Sequence, residues 1–291
     1  PEWMKTNDDV KGGELKPDYY GAFAKYFVKY IEAMRAEGIA IDAITVENEP
    51  LNPKNTPSMV MFAQEQDTFI AKDLGPAFEK AGIRTKILLY DHNPDVPSYP
   101  LSILGDPAAS KYVDGTAFHL YGGDASVLTQ VHDAYPKKNL YMTEQSVTAR
   151  RGEGPLGIAE PVRRVMIGAT RNWSRNVLLW NLAADPQNGP HTNNGGCTGC
   201  SGAITLDGDS ATKNVAFYVL EHFSQFVPPG SVRVASSEME QLASVAFLTP
   251  EGKVVLVASN TGNFAKSFAV KYRGKFFQTA LPAESVGTYV W

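Results

Sequence analysis

Between residues 18 and 36 the stretch DYYGAFAKYFVKYIEAMRA sets Phe23, Tyr26, Phe27, Tyr30, Ile31 and Met34 three and four positions apart. That spacing predicts an amphipathic helix, and Gly38 ends it. A short β-branched run, IDAITVENE over residues 41–49, predicts a strand, and residues 58–81 predict a second helix. The alternation continues. KILLYDH (86–92), GTAFHLY (115–121), NLYMTEQ (139–145) and NVLLWNL (176–182) are apolar strand candidates separated by helix-compatible segments. Parallel neighbours need a long crossover, so strands spaced by helices predict a parallel sheet wrapped by helices. Each candidate strand is apolar at its start and polar at its end: Glu49, Asp91 with His92, His119 with Tyr121, Glu144, and Trp180 with Asn181. Chemistry gathered at the C-terminal ends of strands predicts a (β/α) barrel. An open doubly wound sheet is less favoured, because no Gly-rich phosphate turn follows the first strand.

After residue 225 the period changes. SVRVASS, LASVAFLT, KVVLVASN, SFAVKYR and ESVGTYVW are short, partly alternating runs separated by turn signals such as Pro250-Glu251-Gly252 and Asn260-Thr261-Gly262. They predict a small antiparallel β-sandwich domain. The expected division is therefore a partial barrel domain over residues 1–224 and a sandwich over 225–291, joined near FVPPGS. No internal repeat is seen.

Composition narrows the partners. With 291 residues, 43% of them apolar, the chain can bury a substantial core. A net charge of −4 offers no basic field for nucleic acid, and no apolar run approaches the roughly 20 residues of a membrane span. The two cysteines, Cys197 and Cys200 in GGCTGC, lack the second pair that a four-thiolate zinc site needs. A local disulfide or free thiols is the expectation, with His191 close by as the residual argument for metal. Because the chain opens on Pro1, a processed or truncated product is expected, and the lack of a leader says little about compartment.

Two glutamates at the ends of barrel strands suit glycoside hydrolysis, in which one carboxylic acid protonates the leaving oxygen and one carboxylate attacks or activates water. Glu49 and Glu144 are those candidates. His119 and Tyr121 share one face of the intervening strand and are candidates to hold a carboxylate ionised. Trp3 and Trp180 offer flat faces for sugar rings, against ordinary packing as the alternative. By strand period Thr45, Glu47 and Glu49 share a face, which makes Glu47 a competitor, although a residue one layer below the rim more often serves as a buried hydrogen-bonding partner.

WMKTN, TVENEP, LLYDHN, FHLY, MTEQS, LLWNLAADPQNGP, NGGCTGCSGAITLDG and HFSQFVPPGSVRV occur in the order seen in glycoside hydrolase family 30. The chain resembles the branch of glucosylceramidases and β-1,6-glucanases. The resemblance implies retaining hydrolysis of β-glucosides (a β-1,6-glucan or a glucosylated lipid) with no cofactor and no metal, on a (β/α)8 TIM-type barrel fused to a β-sandwich. It also implies Glu49 as acid/base and Glu144 as nucleophile. Asn48 matches a residue that binds the sugar 2-hydroxyl. Tyr121 matches the tyrosine beside the nucleophile, with His119 next to it. Trp3 and Trp180 match walls of the sugar site, and Asp91, His92 and Asn93 match the rim after the fifth strand. Glu47 falls at a position that is Glu or Gln among family members, in line with a non-catalytic role. Complete members place PEWMKTN after the third barrel strand, so an incomplete barrel of about strands 4 to 8 is expected, together with loss of the first sandwich strands and of two residues that bind outer hydroxyls. Open sheet edges then predict a homo-oligomer that covers them. Secretion or a bacterial periplasm is the expected location. An inactive glycan-binding remnant that needs an N-terminal partner is the alternative function.

Overall fold

The computed structural model describes residues 1–148, 157–194 and 196–291. The described residues form two compact units. The first comprises residues 1–143, 173–176 and 192–196, and the second comprises residues 144–172, 177–191 and 197–291.

Five parallel strands run in the order β1 (Ala43–Thr45), β2 (Lys86–His92), β3 (Val113–His119), β4 (Asn139–Glu144) and β5 (Ser174–Val177). Sequential strands are spatial neighbours throughout, as a barrel-like βα succession requires. Among the described residues β1 and β5 pair with no further strand. The strand predicted over residues 41–49 stops at Thr45, because the backbone then bends and Glu49 adopts φ 48°. Strict period-2 alternation therefore does not extend to Glu49. The last predicted barrel strand likewise ends at Val177, short of the expected residue 182.

Helix α1 (Tyr20–Ala36) turns Tyr20, Ala24 and Ile31 inward, while Tyr26 of the predicted stripe is 62% exposed. The rotation follows Phe69, whose ring packs on Tyr20 and Phe23 at centroid distances of 5.6 and 5.2 Å. The second helical stretch begins at Ala63, five residues later than expected. Residues ahead of it are tied into a loop by Val60 N to Gly13 O (2.7 Å) and Met61 N to Pro50 O (2.9 Å). It runs as α2 (Ala63–Phe69), a π-helical segment (Ile70–Leu74) and α3 (Gly75–Ala81). Helices α4 (Ser98–Gly105), α5 (Pro107–Ser110) and α6 (Ser126–Ala134) complete this unit. Its interior holds Phe69, Ile70, Leu74, Leu89, Phe118, Leu128, Leu140 and Met142, all fully buried.

In the second unit, α7 (Ala159–Pro161), a π-helical segment (Val162–Ile167) and α8 (Gly168–Arg171) precede a small sheet of β6 (Ala183–Ala184), β7 (Ile204–Asp207) and β8 (Ser210–Lys213), and α9 (Val215–Ser224) follows it. A four-stranded antiparallel sheet then has the order β14 (Ser285–Val290), β11 (Val254–Asn260), β10 (Leu242–Leu248), β9 (Val232–Val234), and β12 (Lys266–Tyr272) pairs with β13 (Lys275–Leu281) as a hairpin. Central strand β11 is buried at all seven positions. One face explains half of that: Val245, Phe247, Val255 and Val257 share a core with Val162, Met166, Val219 and Phe223 of the helical segments. Burial on both sides also explains why β11 reads as a continuous apolar run rather than an alternating one. Asn260 ends the strand fully buried, its Nδ2 donating to Phe264 O, Leu281 O and Pro282 O. No helix among the described residues is long and apolar enough to cross a membrane.

At Gly115 on β3 an added Cβ would lie 2.0 Å from Asn139 O on β4. A backbone oxygen cannot step aside as a side chain can. Gly115→Ala is expected to lower the unfolding free energy by about 3 kcal/mol, measured by urea denaturation.

Candidate active site

The end of β2 is shaped by backbone conformation. Tyr90 and Asp91 have φ 72° and 65°, and the pairing of β2 with β3 shifts register between Tyr90 and His92. Such an irregularity re-aims side chains at a sheet edge. Two contacts hold the distortion: Tyr90 N donates to the buried Gln66 Oε1 (2.8 Å), and Tyr90 OH donates to Asn93 O (2.5 Å). Asp91 is thereby turned into the interior, 5% exposed. Its Oδ2 accepts from Thr45 Oγ1 (2.7 Å) on β1, and its Oδ1 accepts from Thr143 Oγ1 (2.5 Å) on β4. A single carboxylate therefore ties three strands of the sheet at their C-terminal ends.

His119, the last residue of β3 and 1% exposed, stands between two carboxylates. Its Nε2 lies 3.2 Å from Asp91 Oδ1 and its Nδ1 3.1 Å from Glu49 Oε1. Both ring nitrogens face acceptors, an arrangement that the imidazolium satisfies with two donors. Glu49 itself is 7% exposed. Its backbone N donates to Asp91 O (3.0 Å), and its Oε2 accepts from Asn52 Nδ2 (2.7 Å) and Asn55 Nδ2 (3.0 Å). Burial alone would push this carboxyl up. Hydrogen bonds from His119 and Asn52, joined by the charges of His119 and His92, outweigh that and bring it down to about 2. His92 is pushed the other way by burial, below the usual imidazole range, and its Nδ1 accepts from Leu51 N (3.3 Å).

The remaining candidates lie nearer solvent. Asn48 is exposed, and Tyr121 is 43% exposed with its ring edge-on to His119 (centroids 6.1 Å apart) and its N donating to Asn93 Oδ1 (2.8 Å). Trp3 is 57% exposed and packs edge-on against Tyr19. Glu144 is the half-buried last residue of β4. In the second unit Trp180 is 47% exposed, bridges Ser146 and donates its N to Gln145 O (3.0 Å). Cys197 and Cys200 form a disulfide, so the thiolate-ligand alternative falls away.

Glu47 separates from Glu49. It lines a cavity of about 260 Å³ with Lys5, Met4, Leu15 and Phe23, and burial pushes its carboxyl up to about 8 against the opposing charge of Lys5. Lys5 is itself buried, with Nζ donating to Gly12 O and Ser58 O (both 2.8 Å). Sequence reading passed over Asn52, Asn55, Thr143 and Gln66. The run LNPKNTP after Glu49 did carry a signal, since closely spaced Asn and Pro make a tight turn whose amides point back toward its start.

Comparison with known proteins follows the same outline. The sequence profile of the glycosyl hydrolase family 30 TIM-barrel domain matches residues 1–227, and that of the family's beta sandwich domain matches residues 230–289. The chain belongs to glycosyl hydrolase family 30. Among similar proteins, the endo-1,6-beta-D-glucanase BGN16.3 of Trichoderma harzianum is 36% identical over all of this chain and 62% of its own length. The lysosomal acid glucosylceramidase of Mus musculus is 31% identical, over all of this chain and 61% of its own length. The chain thus spans less than two thirds of these relatives. Of solved structures, the endo-beta1,6-glucanase BT3312 superposes with a TM-score of 0.92 at 36% identity, covering 100% of this chain and 69% of that one. SrfJ from Salmonella typhimurium superposes with a TM-score of 0.91 at 28% identity, again covering all of this chain and 66% of that one.

Protonation of Glu47 in the folded state sets the sign of one stability effect. Its pKa is higher folded than unfolded, so the protein loses stability as pH rises from about 4.5 to about 8, where the unfolded chain ionises first. Glu47→Gln is expected to flatten that decline and to raise stability at pH 7, read from urea unfolding at several pH values.

Proposed function

We propose that this chain is a retaining β-glycosidase acting on β-glucosides, with a β-1,6-linked glucan as the favoured substrate and a glucosylated lipid as the second. The observation that carries the reading is the buried Glu49 of Asn48-Glu49-Pro50, held by His119 at the end of β3. In the first step Glu144 attacks the anomeric carbon while Glu49 gives its proton to the departing oxygen, and a glycosyl ester forms as the glycosidic bond breaks. In the second step Glu49 takes a proton from water, whose oxygen displaces Glu144 and restores it. No metal or cofactor enters either step. Asp91, with Thr45 and Thr143, anchors His119 so that Glu49 and the strand ends keep one geometry. Asn48 and Tyr121 supply polar contacts to the sugar and to the nucleophile, and Trp3 and Trp180 supply apolar faces.

Relatives support the glucan preference, since proteins named as endo-1,6-beta-glucanases match over the whole of this chain. The profile limits at residues 227 and 230 support a catalytic domain over 1–224 followed by a sandwich over 225–291. Two outer strands without a further partner among the described residues support a homo-oligomer that covers those edges. The disulfide suits an oxidising compartment, in favour of a secreted or periplasmic location.

The test is release of nitrophenol from an aryl β-glucoside by the purified chain across a range of protein concentrations, with the first-formed sugar anomer followed by proton NMR. Glu144→Gln is expected to cut turnover by on the order of 10³-fold or more, and the first product is expected to be the β-anomer. Specific activity is expected to rise with concentration if assembly completes the site. Absence of turnover above the variants at every concentration, with glucan binding retained, would replace this reading with the glycan-binding remnant.

A further inference from the structure

The hydrogen bonding of Glu49 is one-sided in a way that the reaction must undo. Its Oε1 faces His119 in the sheet interior, whereas its Oε2 receives two amide donors, Asn52 Nδ2 at 2.7 Å and Asn55 Nδ2 at 3.0 Å. Both amides come from one turn. That turn is fixed at its root by Asn52 N to Glu49 O (2.7 Å), Leu51 N to His92 Nδ1 (3.3 Å) and Met61 N to Pro50 O (2.9 Å), with Pro53 and Lys54 exposed at its tip. A carboxylate oxygen can accept two donors, but an oxygen carrying a proton turns part of itself into a donor and faces an amide N–H with the wrong polarity. With both amides in place, Oε2 is therefore an acceptor only.

We propose that Asn52 and Asn55 form an amide clamp, a pair of positioning residues that fixes Glu49 Oε2 as an acceptor and must let go of it before Glu49 can carry a proton. The proposal rests on Glu49 being the proton donor. The two steps ask opposite things of it: a proton present while the leaving oxygen departs, and none while water is activated. The clamp matches the second demand, for amide donors stabilise the ionised form that accepts water's proton. Release of the turn, or its displacement by the substrate's leaving group, meets the first. The lowered pKa of Glu49 in the closed arrangement agrees with this division. The titratable groups around Glu49 are His119 on β3 and His92 and Asp91 on β2.

The clamp is tested on the full chain by carboxyl ¹³C NMR with labelled glutamate, the Glu49 signal being assigned by its loss in Glu49→Gln. The wild-type signal is expected to stay that of a carboxylate well below the ordinary range. In Asn52→Ala/Asn55→Ala the midpoint is expected to rise by about one unit or more, a tenfold change in proton affinity. Single Asn52→Ala and Asn55→Ala variants, each rising by less, serve if the double variant does not fold. An unchanged midpoint in folded variants overturns the clamp. Its catalytic part is read from kcat/KM against pH for an alkyl β-glucoside, which needs a proton donor, and for a dinitrophenyl β-glucoside, which does not. The alkaline limb is expected to move up for the alkyl glucoside alone. If Glu49→Gln costs both substrates equally, the proton-donor reading falls and the clamp's catalytic role with it, while the NMR midpoint still decides whether the clamp acts on Glu49.

Discussion

An imidazole wedged between two buried carboxylates is the constraint around which the first unit is organised. A carboxylate removed from water without partners costs many kcal/mol, and two of them side by side would also repel. His119 answers both problems for Glu49 and Asp91, which sit on separate segments and face it from opposite ring nitrogens. The ring can serve both only if β3 ends where it does and if β2 presents Asp91 inward. That second condition is met by two consecutive residues in left-handed backbone conformation. Thr45 on β1 and Thr143 on β4 then both donate to Asp91. Ordering the sheet edge and building the site are here the same set of contacts.

Much of this was legible in the sequence, for identifiable reasons. Strand identity showed in apolar runs, because parallel strands are covered on both faces, and polar residues at the run ends marked the rim. His119 and Glu144 fell at strand ends as read. The endpoints of β1 and β5 did not follow, since a strand's limit depends on where its partner stops pairing, which no local period reports. The same limit misplaced Glu47 beside Glu49. A face-sharing rule holds only while the chain stays extended, and Glu49 lies beyond that point.

Polar partners were the less visible part. Thr143 and Gln66 look like ordinary strand and helix residues, and their roles come from tertiary neighbours 52 and 24 positions away. Asn52 and Asn55 lie close in sequence to the group they hold, and so were in principle readable from turn chemistry alone. The second unit was easier in outline, for its turns are signalled by Gly, Pro and Asn. Its core was not, because helices from residues 159–171 and 215–224 pack against strands that lie well further along the chain, at residues 245–257.

The π-helical segment between α2 and α3 has a consequence for how this region tolerates change in length. A wide turn of this kind accommodates an extra residue and rotates everything after it about the helix axis. Gln66, before the segment, reaches the backbone of Tyr90, while Phe78, after it, is buried in the core. The segment lets the two ends of one helical stretch face different targets with independent phases. Deleting a single residue from Ile70–Leu74 would regularise the helix and swing either Gln66 or Phe78 out of line. Helical phase, a quantity with no catalytic meaning of its own, is thus coupled through Tyr90 to the direction in which Asp91 points.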